Sequence, residues 1–142
     1  MSNQTTQEFH LPLRVYYEDT DAGGIVYYAN YLKFCERART EWLRTAGVDH
    51  QTLLAQDGLL FVVAACNIAY RAPARLDDEL DVRLQLTRIG RASLQFSQSV
   101  WRADTLLCEV ETRIACVAAQ DVRATPMPEA LQARLRACSG LA

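Results

Sequence analysis

The segment YYEDTDAGGIVYYANYLKFCERARTEWLR, residues 16–44, decides how this chain is read. Between positions 19 and 24 it crowds Asp19, Thr20, Asp21 and the pair Gly23 and Gly24 together, a composition that signals a turn open to backbone angles denied to most residues. Downstream, Tyr31, Phe34, Cys35, Ala38, Trp42 and Ala46 recur at three- and four-residue spacing. Lys33, Glu36, Arg37, Glu41 and Arg44 fall largely on other faces. That period predicts an amphipathic helix over 28–46, and Gly47 stands where a left-handed residue would end it.

Working outward, Leu13, Val15 and Tyr17 alternate with Arg14, Tyr16 and Glu18 as a short first strand that runs into the turn, and residues 1–9 are expected to be frayed. A second, shorter helix is expected over 49–56. Leu59 to Tyr70 carries Val62, Val63 and Ile68 without clean alternation at its start, which predicts a central strand covered on both faces. Leu80, Val82, Leu84 and Leu86 then alternate with Asp81, Arg83, Gln85 and Thr87. The period of two continues through Leu94, Phe96 and Val100, and again through Cys108, Val110, Ile114 and Cys116. Hairpin turns are expected at Gly90-Arg91 and Ala103-Asp104, and a C-terminal helix over 129–137 after Pro126 and Pro128. The sum is an α+β arrangement: an antiparallel sheet of about five strands around one long helix, forming one domain over 1–142.

Composition excludes several functions. A chain of 142 residues, 50% hydrophobic, suits one domain with a real core. With a formal charge of -2 and Lys33 as its only lysine, it carries no footprint for nucleic acid. The cysteines at 35, 66, 108, 116 and 138 show no CxxC spacing and point to a reducing compartment. Residues 1–10 have no basic region followed by an apolar run, so no signal peptide is expected. The run 59–66 falls far short of the roughly 20 residues a membrane helix needs. The expectation is a soluble, cytoplasmic protein without a transmembrane segment. His10 and His50 are the only histidines, there is no GxSxG elbow, and no cluster has metal-ligand spacing.

What remains is the carboxylate group Glu18, Asp19 and Asp21 at a strand-to-helix turn. A helix start leaves backbone N–H groups unpaired and partly positive, able to hold the oxygen of a polarised thioester carbonyl. A carboxylate beside that carbonyl can attack it or deprotonate a water that does. Aspartate before a helix is also a common cap or turn former, and composition alone does not choose between these roles.

The stretch DTDAGGIVYYANYLKFCERAR resembles the signature of the 4-hydroxybenzoyl-CoA thioesterase family, and VYYEDTDAGGIVY is most similar to its Tol-Pal-associated acyl-CoA thioesterase branch. YRAPARLDDEL, residues 70–80, extends the resemblance. It implies a hotdog fold and hydrolysis of an acyl-CoA to free acid and coenzyme A, with no metal and no organic cofactor. Asp21 would be the catalytic carboxylate and Asp19 its support, with Gly24 and Tyr28 positioning the substrate, Tyr28 through its backbone N–H. Coenzyme A phosphates would meet the TRIGRASL turn, with Arg88, Arg91 and Ser93 as contacts. The partners implied are the acyl-CoA substrate, an acyl carrier protein as alternative acyl donor, and further copies of the chain in a homodimer or homotetramer. One departure bears on the acyl group: Tyr28 stands where many members of the branch have histidine. The competing reading is a non-catalytic acyl-CoA or acyl-carrier-protein binding module in envelope lipid metabolism.

Overall fold

The computed structural model describes residues 8–141. Its elements are β1 (Phe9–Arg14), α1 (Asn30–Thr45), α2 (His50–Asp57), β2 (Leu59–Tyr70), β3 (Glu79–Ile89), β4 (Ser93–Arg102), β5 (Thr105–Ala118) and α3 (Glu129–Ser139). The strands form one antiparallel sheet in the order β1-β3-β4-β5-β2. α1 lies over β1, β3 and β4. One long helix on a five-stranded antiparallel sheet is the hotdog architecture.

The period of α1 explains its seat. Tyr31, Phe34, Cys35, Ala38, Trp42 and Leu43 are buried. Trp42 meets Phe96 of β4 edge to face, with centroids 5.7 Å apart. Full burial of a side chain such as Phe34 contributes about 1.5–3 kcal/mol. Gly47, at φ +77°, turns the chain out of α1, and the Asp49 side chain then caps α2 by accepting from Thr52 N at 2.8 Å. Both hairpins fall where the sequence places them, between Ile89 and Ser93 and between Arg102 and Thr105.

Two expectations need correction. The first strand starts earlier and ends sooner: β1 runs Phe9–Arg14, and Tyr17–Asp19 is a short 3-10 turn. β1 finds its partner in β3, and His10 bonds the Asp81 carboxylate at 2.9 Å, so Phe9 and His10 belong to the sheet. The expectation that the chain start is frayed otherwise falls on residues 1–7, which lie outside the described residues. The second correction concerns β2, which is an edge strand and not a central one. Its residues from Val63 to Asn67 are exposed in the isolated chain. Among the described residues no helix is long and apolar enough to cross a membrane.

Candidate active site

The turn ahead of α1 is closed by its own backbone: Asp21 N donates to Ile25 O at 2.9 Å and Gly24 N to Asp21 O at 3.0 Å. Gly24 sits at φ +80°, where a side chain would be strained. Gly23 is needed for a different reason. A Cβ there would lie 3.2 Å from Asp21 Oδ1, the oxygen that accepts the Gly23 N–H at 2.9 Å. The turn is tied to the 70–80 segment through Val26 N to Ala74 O, 2.9 Å, and through a bridge between Ile25 and Arg75.

The two aspartates have different fates. Asp19 is buried; its Oδ2 accepts Tyr16 N at 2.8 Å, and its carbonyl accepts Tyr27 N at 3.0 Å and Asn30 Nδ2 at 2.9 Å. It holds the turn to the helix start. Asp21 is exposed, and its second carboxylate oxygen has no partner among the described residues.

The start of α1 is left uncapped. Ala29 occupies the cap position without a side-chain bond, and the N–H groups of Tyr28 and Ala29 meet no acceptor among the described residues. Around them stands a cluster of tyrosines: Tyr27 and Tyr28 have centroids 4.9 Å apart, Tyr28 and Tyr70 6.2 Å, Tyr31 and Tyr70 5.6 Å. Burial pushes the Tyr31 and Tyr70 hydroxyls above the usual phenol range, so both remain protonated at neutral pH. Tyr31 Oη accepts Ala74 N at 3.0 Å, and Tyr70 Oη donates to Tyr28 O at 2.8 Å. The sequence reading missed Tyr70, because it closes an apolar strand and reads as one more packed aromatic. Its place directly before the RAPAR loop is the only signal it gives.

One turn further along α1, a cleft of about 390 Å³ opens between Leu32, Glu36 and Arg39 on the helix and Val63, Cys66 and Thr112 on β2 and β5. Its floor is partly polar. Buried Arg39 donates to Gln98 Oε1 at 3.0 Å, Gln98 donates to Cys35 O at 2.9 Å, and the Thr112 hydroxyl has no protein partner among the described residues. Glu36 accepts a bond from Thr40, and Glu41 pairs with Arg44 along the helix.

Arg88, Arg91 and Ser93 are elsewhere. They flank the β3–β4 turn, where Gly90 N donates to Ser93 O at 2.7 Å and a Cβ on Gly90 would meet Ser93 Oγ at 2.6 Å. Arg88 and Arg91 are exposed, and neither guanidinium has a partner among the described residues. β3 separates this turn from the 70–80 segment by the 11 residues from Glu79 to Ile89, roughly 35 Å of strand. One chain therefore holds Asp21 and Gly24 in one turn, with Tyr28 at the helix start that follows, but leaves the three β3–β4 turn residues at the far end of its sheet.

A hotdog sheet and helix, with a carboxylate on the glycine turn that feeds the helix, define a thioester-processing class of protein. The chain belongs to the thioesterase-like superfamily, whose family model matches residues 15–135. It is 43% identical over 125 residues to the acyl-CoA thioesterase YbgC of Haemophilus influenzae, covering 88% of this chain and 92% of that one. To the 1,4-dihydroxy-2-naphthoyl-CoA hydrolase of Thermosynechococcus vestitus it is 28% identical over 123 residues, covering 86% of this chain and 84% of that one. Among solved structures it resembles a probable thioesterase from Bartonella henselae, with 31% identity, a TM-score of 0.80, and coverage of 87% of this chain and 100% of that one.

Proposed function

We propose that this chain hydrolyses acyl-CoA thioesters to free acid and coenzyme A, with Asp21 as the catalytic carboxylate and the N–H of Tyr28 as the donor to the thioester oxygen. The observation that carries the assignment is the difference in exposure between the aspartates: Asp19 is buried, its carboxylate on Tyr16 N and its carbonyl on Tyr27 N and Asn30 Nδ2, while Asp21 is exposed on the turn that leads to an uncapped helix start. As the thioester carbon becomes tetrahedral, its oxygen gains negative charge, which the unpaired N–H groups and the helix dipole favour more than they favour the neutral carbonyl. Asp21 attacks that carbon and expels the thiolate, leaving an anhydride that water hydrolyses, or it takes a proton from the water that attacks. The cleft beside Leu32 and Val63 accommodates the acyl chain.

Coenzyme A phosphates are assigned to Arg88 and Arg91, whose planar forks suit phosphate oxygens, with Ser93 beside them. Their distance from Asp21 within one chain is accounted for by a homodimer. The β2 edge is 12 residues long and, Asn67 apart, largely apolar where it is exposed, a surface that calls for a partner strand. Antiparallel pairing of two β2 strands about a two-fold axis reverses the ends, which turns the partner's 89–93 hairpin toward this protomer's Asp21. A homotetramer would pair two such dimers. The chemistry assigned to Asp21 and the helix start uses neither a metal nor an organic cofactor. The test is thiol release from a panel of aliphatic and aromatic acyl-CoAs and an acyl-carrier-protein thioester. Turnover of the acyl-CoAs is expected, and acyl-CoA bound tightly without thiol release would instead identify a binding module.

A further inference from the structure

Both peptides that flank Tyr28 are pinned by bonds from outside the regular helical ladder. On its N-terminal side, Tyr27 O accepts Asn30 N at 2.8 Å, which fixes the peptide plane that carries the Tyr28 N–H. On its C-terminal side, the Tyr28 carbonyl lies one residue ahead of the cap Ala29 and takes no backbone donor among the described residues, Leu32 N going to Ala29 O at 3.1 Å. The Tyr70 hydroxyl donates to it at 2.8 Å, reaching across from the end of β2. The Tyr70 ring is braced edge to face against Tyr31, whose own hydroxyl is anchored on Ala74 N at 3.0 Å.

We propose that Tyr70 is a positioning residue for thioester hydrolysis: by holding the Tyr28 carbonyl, its hydroxyl fixes the peptide plane that carries the Ala29 N–H and aims that donor, beside the Tyr28 N–H, at the developing oxyanion. This rests on the assignment of those N–H groups to the thioester oxygen. Without the Tyr70 hydroxyl, the Tyr28 carbonyl has no donor among the described residues, and the peptide it shares with the Ala29 N–H is free to turn. That N–H would then rotate, and the carbonyl oxygen, itself partly negative, would no longer be neutralised beside the site. Such a loss acts on the transition state more than on the bound ground state, because the charge it mismanages appears only as the bond to sulfur breaks.

Tyr70→Phe removes one oxygen and keeps the ring. The measurement is kcat and KM for acyl-CoA hydrolysis by the full chain, alongside its melting temperature and, as a control, the same assay on Asp21→Asn. The expected result is a fall in kcat of about tenfold to a hundredfold, with KM within about twofold and the melting temperature unchanged. If wild type is active and Asp21→Asn is not, yet Tyr70→Phe retains full kcat, the positioning role is overturned while the thioesterase reading stands. A raised KM at unchanged kcat would make Tyr70 a substrate contact, and a melting temperature lowered in step with activity would make it scaffold; either overturns the proposal. Absence of turnover by wild type on every acyl-CoA tried overturns the reading and this inference with it.

Discussion

Asp19 and Asp21 share a turn, a charge and a spacing of two, and differ in what their oxygens meet. The sequence makes the turn legible through its paired glycines and crowded carboxylates, and the family resemblance singles out Asp21. Spacing alone does not, because each carboxylate accepts one backbone N–H, from Tyr16 and from Gly23, and the two differ in how the fold covers them: Asp19 is buried and Asp21 exposed. The two positions should therefore separate by property. Asp19→Ala leaves the Tyr16 N–H unpaired and is expected to lower stability by about 1–2 kcal/mol in chemical denaturation, whereas Asp21→Asn leaves stability within about 0.5 kcal/mol of wild type. Equal destabilisation by both changes would contradict the division of roles. Tyr70 was not legible at all, since its part is played by a hydroxyl bond across 42 residues that no local pattern announces.

At the scale of elements, α1 was legible because one face of a helix must bury a 3.6-residue stripe, and β3, β4 and β5 were legible because each has one buried face. β2 was not. An apolar strand without alternation reads the same whether its cover comes from this chain or from a second copy, and here the chain leaves it at the edge. β1 was misplaced because its partner residues on β3 lie some seventy positions away. Its attachment is partly electrostatic. Burial alone would raise the Asp81 carboxyl, but His10 and Arg83 outweigh burial and hold it below the usual carboxylate range. A depressed folded value means that the stabilising contribution is present above the unfolded value, near pH 4, and is lost as pH falls through the folded value. Asp81→Asn is thus expected to be less stable than wild type at pH 6, with the gap closing as the pH is lowered below about 4, followed by thermal melts across that range. A gap that does not depend on pH would remove this pair from the account.

At the scale of the whole molecule, the proposed assignment gives one chain half of a site at each end of its sheet: the carboxylate turn at one end and the Arg88–Arg91 hairpin at the other. The proposed two-fold dimer through β2 would complete both. Co-expression of an Asp21→Asn chain with an Arg88→Ala, Arg91→Ala chain tests this, because a mixed dimer would rebuild one intact site from the Asp21 of one chain and the arginines of the other. Activity of the purified mixed dimer near half that of wild type is expected, measured as thiol release at limiting acyl-CoA; no recovery above the parent variants would place both sets of residues in one chain. Catalysis by Asp21 itself is measured by kcat/KM of wild type and of Asp21→Asn on the best acyl-CoA of the panel. A loss of at least about a thousandfold is expected, with substrate still bound and the fold intact. Asp21→Asn turning over at the wild-type rate would contradict it.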